Sequence, residues 1–347
     1  MKNVFTYRLA GWSGLLIGML CLFYISSCSR KEPDEARTLK KVTVGITETY
    51  LGEAATFTAK QKGFFEAHGL DVTLELNPSG STSIRELFEG KVDIAHVAET
   101  PVVYTMLDSS YIEGGKPPDF QIFGDMIYSH KIQKIIALKD AGIEKAEDLK
   151  GKRIGIYEGT QLDYFLDSYL LEHQISKDSL TIIDMDPQTQ VQAITQGRVD
   201  VVVTWEPYAT YISNRLKGQV KYLNTKLTYS TLWLAATLDT FARENPEVLE
   251  AYLKSIKQAQ TYINDHKDEA QNILSDKTGV PLEVVKSCWN EIDYELSLSE
   301  RMLTLFEDQA NWLQRNLAAD STVENFRAII NPGPMRNVHP EGITIIQ

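Results

Sequence analysis

The chain has 347 residues, of which 43% are hydrophobic and 24% charged. This balance is typical of a globular protein rather than a disordered one, and the length favours two domains over one. The formal net charge of −12 argues against nucleic acid as a partner, because phosphate binding needs clustered Lys and Arg, and the sequence shows no basic patch.

The first 27 residues have the charge pattern of an export signal. Lys2 and Arg8 precede an apolar stretch, residues 9–29, without a charged residue. The stretch contains Cys28 directly after two serines, and this resembles the lipobox of bacterial lipoproteins, in which the signal is cut before the cysteine and its thiol is lipidated. The resemblance implies a signal peptide over residues 1–27 and a lipid on Cys28. The alternative is an uncleaved transmembrane anchor. Either way we expect an exported, membrane-anchored protein.

The cysteines agree with lipidation. Residues 28–40 are polar after the cysteine and lack apolar periodicity, so we interpret them as the lipidated Cys28 and a tether. Cys21 lies inside the predicted signal, which leaves Cys288 alone. No intrachain disulfide is then possible in the mature chain, and its stability must come from a packed core.

The sequence contains an internal repeat. GKVDIAHVAETP starts at Gly90 and GRVDVVVTWEP starts at Gly197. Each glycine follows a helical pattern and fits a helix C-terminal cap, and each helix follows an alternating apolar strand that ends at a proline. Both halves therefore have the order strand, helix, strand, Pro, helix, Gly, strand, Glu. This order predicts an α/β protein with two parallel sheets built from βαβ units.

The two halves must be joined by crossovers. We place one near residues 124–129 and the return within residues 230–239, after which the pattern is mainly helical, with a last short strand over 342–347. The predicted lobe 1 is therefore discontinuous, residues 41–125 and 236–347. The predicted lobe 2 is residues 126–235.

Four glutamates of the repeat fall where strands end: Glu48, Glu99, Glu158 and Glu206. Ligands of open parallel sheets bind outside the carboxyl ends of the strands, and two facing sheets create a cleft that hinge closure can bury. We expect one or two of the glutamates to contact a ligand and the others to serve structure. The alternative is that some are solvated loop residues or charges in a first helical turn.

Several segments resemble a known family. LKGKRIGIYEGTQ, GRVDVVVTWEP, KQKGFFEAHGLDVTLELNPSG and GKVDIAHV are similar to the nitrate/sulfonate/taurine type of ABC-transporter substrate-binding protein, which is related to the binding proteins for thiamine pyrimidine precursors. The similarity runs from Val42 to the C-terminus. It implies a type II periplasmic-binding-protein fold, with two parallel-sheet lobes joined by two crossovers around a central cleft. It also implies delivery of a small-molecule ligand to a membrane permease, without cofactor or metal.

The resemblance also implies which loops contact the ligand. Ser79-Gly80-Ser81 suits an anionic group, or is an ordinary helix cap. Trp205 would offer an apolar wall or a face for a cation, or fills the core. Because four carboxylates would repel a bare anion, we expect an amine beside the anionic group, as in taurine, or a protonated aminopyrimidine. The predicted ligand-binding residues are Thr47, Glu48, Ser79, Gly80, Ser81, Glu99, Thr100, Glu158, Gly159, Thr160, Gln161, Trp205 and Glu206.

Two other functions stay open. A sensor that uses the same cleft to signal to a partner protein cannot be separated from a transport receptor by sequence. An enzyme on the same fold is the other alternative, but the six histidines are scattered and the chain has no GxSxG, Walker A or HExxH motif. Cys288 lies in a helical context, where a lone buried thiol is usually inert. We therefore predict a monomeric binding protein that is not an enzyme.

Overall fold

The structure, a computed structural model, describes residues 38–113, 115–223, 229–317 and 325–345. The predicted signal peptide, Cys28 and the tether as far as residue 37 lie outside these ranges. The residues from Leu39 onward form one compact unit. None of the helices within the described ranges combines the length and apolarity needed to cross a membrane.

The strands of the described residues form two five-stranded sheets, with the orders β2-β1-β3-β10-β4 and β7-β6-β8-β5-β9. The strands are β1 (Lys40–Thr47), β2 (Leu70–Asn77), β3 (Ile94–Val97), β4 (Phe120–Ser129), β5 (Gln133–Leu138), β6 (Arg153–Ile156), β7 (Thr181–Asp184), β8 (Val201–Trp205), β9 (Val220–Tyr222) and β10 (Thr231–Leu238).

Helices cover both sheets, and the helices near the C-terminus return to the first sheet, where α9 contacts α1, β2 and β4. The helices are α1 (Ala54–Gln61), α2 (Phe64–Ala67), α3 (Gly80–Phe88), α4 (Glu99–Leu107), α5 (Gln161–Glu172), α6 (Pro187–Thr195), α7 (Tyr208–Leu216), α8 (Asp239–Glu244), α9 (Pro246–Asp265), α10 (Lys267–Thr278), α11 (Leu282–Cys288), α12 (Glu300–Leu317) and α13 (Gly333–Arg336).

The two sheets have the same topology, as the repeat predicts. In the first sheet β1 pairs in parallel with β2 and β3, and in the second β6 pairs in parallel with β7 and β8. Each sheet also has one antiparallel strand, β10 or β5, which arrives from the other sheet. A strand that comes from the other sheet enters at the cleft and runs away from it. The parallel strands of the sheet have their carboxyl ends at the cleft, so the entering strand is antiparallel to them. The predicted α/β fold class is confirmed, with this antiparallel strand in each sheet.

The repeated phrase has the same structural role in both sheets. Gly90 and Gly197 end α3 and α6 with φ of 70° and 66°, a conformation that glycine adopts without steric cost. The Asp93 carboxylate accepts from the Thr43 N–H at 2.8 Å, and the Asp200 carboxylate accepts from the Arg153 N–H at 2.9 Å. Each aspartate therefore holds the start of the strand that follows it, β3 or β8, against the neighbouring parallel strand, β1 or β6.

The chain changes sheet at positions that differ from those that the sequence predicts. β4 pairs with β10 as far as Ser129, so residues 124–129 do not form a crossover, because hydrogen bonds hold them in the first sheet. The chain enters the second sheet instead between Ser129 and Gln133. It returns between Tyr222 and Thr231, earlier than the predicted 230–239, because residues 231–238 already form β10 of the first sheet. The last strand predicted over 342–347 is also wrong for residues 342–345, which contain the end of a 3-10 turn and a single bridge from Ile343 to Leu298, and residues 346–347 lie outside the described ranges.

Candidate ligand-binding cavity

A small cavity lies where the carboxyl ends of strands from both sheets meet. Thr47 ends β1 on one side and Trp205 ends β8 on the other. The cavity volume of about 10 Å³ is close to the space that one water molecule needs. Its lining residues are Thr47, Tyr50, Ser79, Gly80, Ser81, Ala98, Pro101, Thr160, Gln161, Trp205 and Trp233.

Larger depressions of about 580, 560 and 320 Å³ lie elsewhere on the described residues. None of these three is lined by strand ends of both sheets. Position therefore favours the small cavity, since ligands of open α/β sheets bind at the carboxyl ends of the strands.

Three helices begin at the cavity. Ser79 and Gly80 start α3, Ala98 precedes α4, and Thr160 precedes α5. The first N–H groups of a helix have no partner within the helix and carry its positive dipole end, so they attract anions. Gly80 is needed for this arrangement, because a Cβ there would lie 2.8 Å from the Cα of Val97 on β3.

Three buried polar groups at the cavity have no hydrogen-bond partner among the described residues: Thr47 Oγ1, Tyr50 OH and Trp205 Nε1. The three side chains are 3%, 2% and 4% exposed. A buried polar group without a partner costs about 1–3 kcal/mol. The cavity therefore presents donors that an acceptor on a ligand would satisfy.

Hydrogen bonds join the two halves beside the cavity. The Gly159 carbonyl accepts from Ser81 Oγ at 3.1 Å and from Tyr111 OH at 2.8 Å. The Gly159 N–H donates to Asp163 Oδ2 at 2.6 Å, and Tyr104 OH donates to the same oxygen at 3.2 Å. The first turn of α5 is thus held against residues of the first half.

Two of the repeated glutamates are buried structural groups. Glu99 is fully buried and accepts from the Leu232 N–H at 2.9 Å and from Tyr229 OH. Glu206 accepts from the Thr210 N–H at 3.0 Å and from Cys288 Sγ at 3.4 Å. Burial raises the pKa of both carboxyl groups, and neither residue lines the cavity.

The other two glutamates lie at the rim or outside. Glu48 Oε1 accepts from Gln188 Nε2 at 3.3 Å, and the Glu158 side chain is exposed. None of the four belongs to the lining. The reason for expecting an amine on the ligand, a cleft lined with carboxylates, therefore does not hold for this cavity.

Other predicted residues divide between the lining and the layer behind it. Gly159 has φ of 73° and reaches the cavity loop through its carbonyl. Thr100 is fully buried, and its Oγ1 has no partner among the described residues. The predicted residues that the structure brings together in the lining are Thr47, Ser79, Gly80, Ser81, Thr160, Gln161 and Trp205.

Sequence reasoning missed a buried network behind the cavity. Glu53 is fully buried and accepts from Trp233 Nε1 at 2.9 Å and from Thr56 Oγ1 at 2.9 Å. His96 Nδ1 lies 2.8 Å from the same carboxylate, and Tyr252 OH lies 2.6 Å from His96 Nε2. The network fixes the Trp233 ring, and its members come from four separate parts of the chain, so no local pattern marks it.

The profile of the family described as "NMT1/THI5 like" matches residues 53–270. The chain belongs to this family. The match confirms the similarity found in the sequence and contains most of the cavity, although Thr47 and Tyr50 precede it. Among the described residues of this NMT1/THI5-like protein, no group of three or more His, Cys, Asp or Glu side chains is placed to hold a metal ion.

Relatives of this NMT1/THI5-like protein include a "Putative aliphatic sulfonates-binding protein" of Bacillus subtilis (strain 168), which is 24% identical over 90% of this chain and 92% of the relative. The periplasmic aliphatic sulphonate binding protein SsuA of Escherichia coli superimposes with a TM-score of 0.69 and 17% identity over 86% of this chain and 98% of that one. The periplasmic nitrate-binding protein NrtA of Synechocystis PCC 6803 superimposes with a TM-score of 0.71 and 16% identity, over 87% of this chain and 89% of that one. These superpositions show that this NMT1/THI5-like protein has the periplasmic-binding-protein fold.

Proposed function

We propose that this protein is the solute-binding receptor of an ABC importer and that it captures a small organic anion in the cavity between the two sheets. The observation that carries the proposal is the set of unpartnered donors, Thr47 Oγ1, Tyr50 OH and Trp205 Nε1, that line a cavity where three helices also begin. These groups suit the oxygens of a sulfonate or a similar anion. The names of the relatives, which bind sulfonates or nitrate, support the same ligand class.

Capture requires the two halves to move apart. The cavity is about the size of one water molecule, so any organic anion needs a wider cleft to enter. We propose that β1 to β4, β10 and the helices after it form one lobe and that β5 to β9 form the other, so that the predicted boundaries at 125/126 and 235/236 move to the observed changes of sheet at 129–133 and 222–231. Hinge motion about these two connections would then open and close the cleft.

The location belongs to the same proposal. An export signal over residues 1–27 and a lipid on Cys28 would hold the protein at the membrane, facing the periplasm or the cell exterior. A monomer in that position would deliver its ligand to the membrane permease. The catalytic motifs discussed above do not occur in the sequence, so the proposal includes no covalent chemistry.

Thermal unfolding in the presence of small anions tests the function. A ligand at a hundred times its Kd adds about 2.7 kcal/mol, which at roughly 2–4 °C per kcal/mol raises the melting temperature by about 5–10 °C. We expect such a rise with alkanesulfonates. If no sulfonate raises the melting temperature, or only nitrate or an aminopyrimidine does, the proposal of an organic-anion receptor is wrong.

A pair of threonines provides a matched control. Thr47→Val removes the unpartnered hydroxyl at the cavity and should weaken binding at least fivefold. Thr58 on α1 is equally buried, and its Oγ1 also has no partner among the described residues, but it does not line the cavity. Thr58→Val should leave the affinity unchanged.

A further inference from the structure

Aromatic side chains from both halves border the cavity. Trp205 ends β8 in the second sheet, whereas Tyr50 follows β1 and Trp233 lies in β10 of the first sheet. The Tyr50 and Trp233 rings contact each other, with centroids 4.4 Å apart. When the cleft closes, a ligand body therefore meets an aromatic surface on each side.

The hydrogen bonds of these rings determine which of their polar groups can face a ligand. Trp233 is oriented by its hydrogen bond to Glu53, so its Nε1 does not face the ligand. Trp205 Nε1 and Tyr50 OH are buried and unpartnered among the described residues. Trp205 and Tyr50 can each offer a donor beside an apolar face, a combination that suits a ligand with both acceptor oxygens and a flat apolar body.

The described lining contains no carboxylate that could pair with a positive charge. None of its residues is acidic, and the nearby Glu53 carboxylate already accepts hydrogen bonds from Trp233, His96 and Thr56. An ammonium group buried here would lose its water without gaining a carboxylate, which is costly.

We propose, resting on the function proposed above, that the ligand is an organic anion with a flat unsaturated body and no ammonium group. The body lies between Trp205 and the Tyr50–Trp233 pair. The anionic group meets the start of α3. Ring faces prefer a flat partner at stacking distance, whereas a puckered ring of similar size reaches the same faces with fewer close contacts.

Titration calorimetry of the full chain with defined ligands tests the inference. Benzenesulfonate and cyclohexanesulfonate have the same anionic group and similar size, but only the first is flat. We expect benzenesulfonate to bind at least tenfold more tightly. Ethanesulfonate and taurine differ by the ammonium group, and we expect ethanesulfonate to bind at least tenfold more tightly than taurine.

The outcomes separate this inference from the proposed function. If cyclohexanesulfonate binds as tightly as benzenesulfonate or more tightly, the inference of a flat ligand body is wrong. If taurine binds more tightly than ethanesulfonate, the inference that the ligand has no ammonium group is wrong. In both cases the proposed anion receptor stands. If none of the four sulfonates binds, the proposed function as a receptor for this ligand class is wrong.

Substitutions at Trp205 assign the preference to its ring. Trp205→Leu should reduce the benzenesulfonate preference to less than threefold, and the loss of the Nε1–H donor should weaken the binding of all four sulfonates to a similar extent. Trp205→Phe keeps a flat face without the Nε1–H and should retain most of the preference. If Trp205→Leu binds with the wild-type preference, the ring of Trp205 does not select the ligand.

Discussion

At the residue scale, Gly80 is the position where the cavity depends most directly on the absence of a side chain. An added Cβ would lie 2.8 Å from Val97 Cα and 3.0 Å from the His96 carbonyl oxygen, both in the backbone of β3. Neither neighbour can rotate away, so α3 would have to shift from the strand. The N–H groups at its start would shift with it.

Gly80→Ala should therefore lower stability by about 1–3 kcal/mol and also weaken ligand binding. Gly90→Ala is the matched control. Its Cβ meets nothing within 4 Å, although its φ of 70° makes alanine unfavourable, by about 1 kcal/mol. Urea denaturation and calorimetry should show a loss of stability in both variants and a loss of affinity only in Gly80→Ala. Equal affinity of the two variants would contradict this account.

Glu53 is the buried residue whose charge the surrounding donors require. Its two oxygens accept from Trp233 Nε1, His96 Nδ1 and Thr56 Oγ1. Glutamine keeps one acceptor and replaces the other with an NH₂ group that faces a donor. Glu53→Gln should therefore lower the free energy of unfolding by about 2–4 kcal/mol.

Urea denaturation checks the effect. Glu89→Gln is the control: Glu89 forms an exposed ion pair with Lys91, so this variant should change the free energy of unfolding by less than about 1 kcal/mol. A loss of similar size in both variants would mean that the Glu53 network contributes little.

At the element scale, the helix ends, strands and loops that depend on short-range sequence patterns can be predicted from the sequence. The glycine caps at Gly90 and Gly197, the strands that follow them, and the loop Ser79-Gly80-Ser81 at the start of α3 are all recognisable from short-range signals. The recurrence of one phrase in two places also predicts two sheets of equal topology.

The rest of the site depends on distant pairings. Trp233 reaches the cavity because β10 inserts between β3 and β4, and no nearby residue indicates that. Glu99 is removed from the cavity by Tyr229 and Leu232, which are more than a hundred positions away. Glutamates at strand ends look alike in the sequence. Which of them can face a ligand depends on hydrogen-bond partners that are distant in the chain, and these partners cannot be identified from local patterns.

The contact between α4 and α5 contains a carboxyl group that should respond to pH. Burial raises the pKa of Asp163 from its usual value of 3.8 to about 6, although Lys177 and the Gly159 N–H oppose the shift. Below pH 4 the group is protonated in both the native and the unfolded state. Above pH 6 the native state must bury its charge, so stability contributed by the neutral form is lost as the pH rises from about 4 to about 6.

Asp163→Asn removes this titration and keeps an oxygen for Tyr104 and Gly159. At 1.36 kcal/mol per pH unit, the stability of the variant relative to wild type should increase by about 3 kcal/mol between pH 4 and pH 7. Urea denaturation across this range measures the difference. A difference that stays constant with pH would show that the pKa of Asp163 is the same in the native and unfolded states.

At the scale of the whole molecule, we expect the polar contacts between the halves outside the cavity to govern how readily the proposed hinge motion opens the cleft. Tyr111 OH donates to the Gly159 carbonyl at 2.8 Å, and Thr49 Oγ1 is hydrogen-bonded to Tyr208 OH. None of the four residues belongs to the cavity lining. They can therefore be altered without removing a group that we propose to contact the ligand.

Because the closed cavity has the volume of about one water molecule, ligand release requires these contacts to break, and weakening them should speed release. Tyr111→Phe removes one hydrogen bond, about 0.5–1.5 kcal/mol, and should accelerate dissociation of a bound sulfonate roughly 2–10-fold, with a smaller change in the association rate. Stopped-flow tryptophan fluorescence measures both rates. Tyr262→Phe is the control, since Tyr262 donates to Glu269 far from the cleft. If the sulfonate dissociates from Tyr111→Phe at the same rate as from Tyr262→Phe, the ligand leaves without separation of the two halves at this contact.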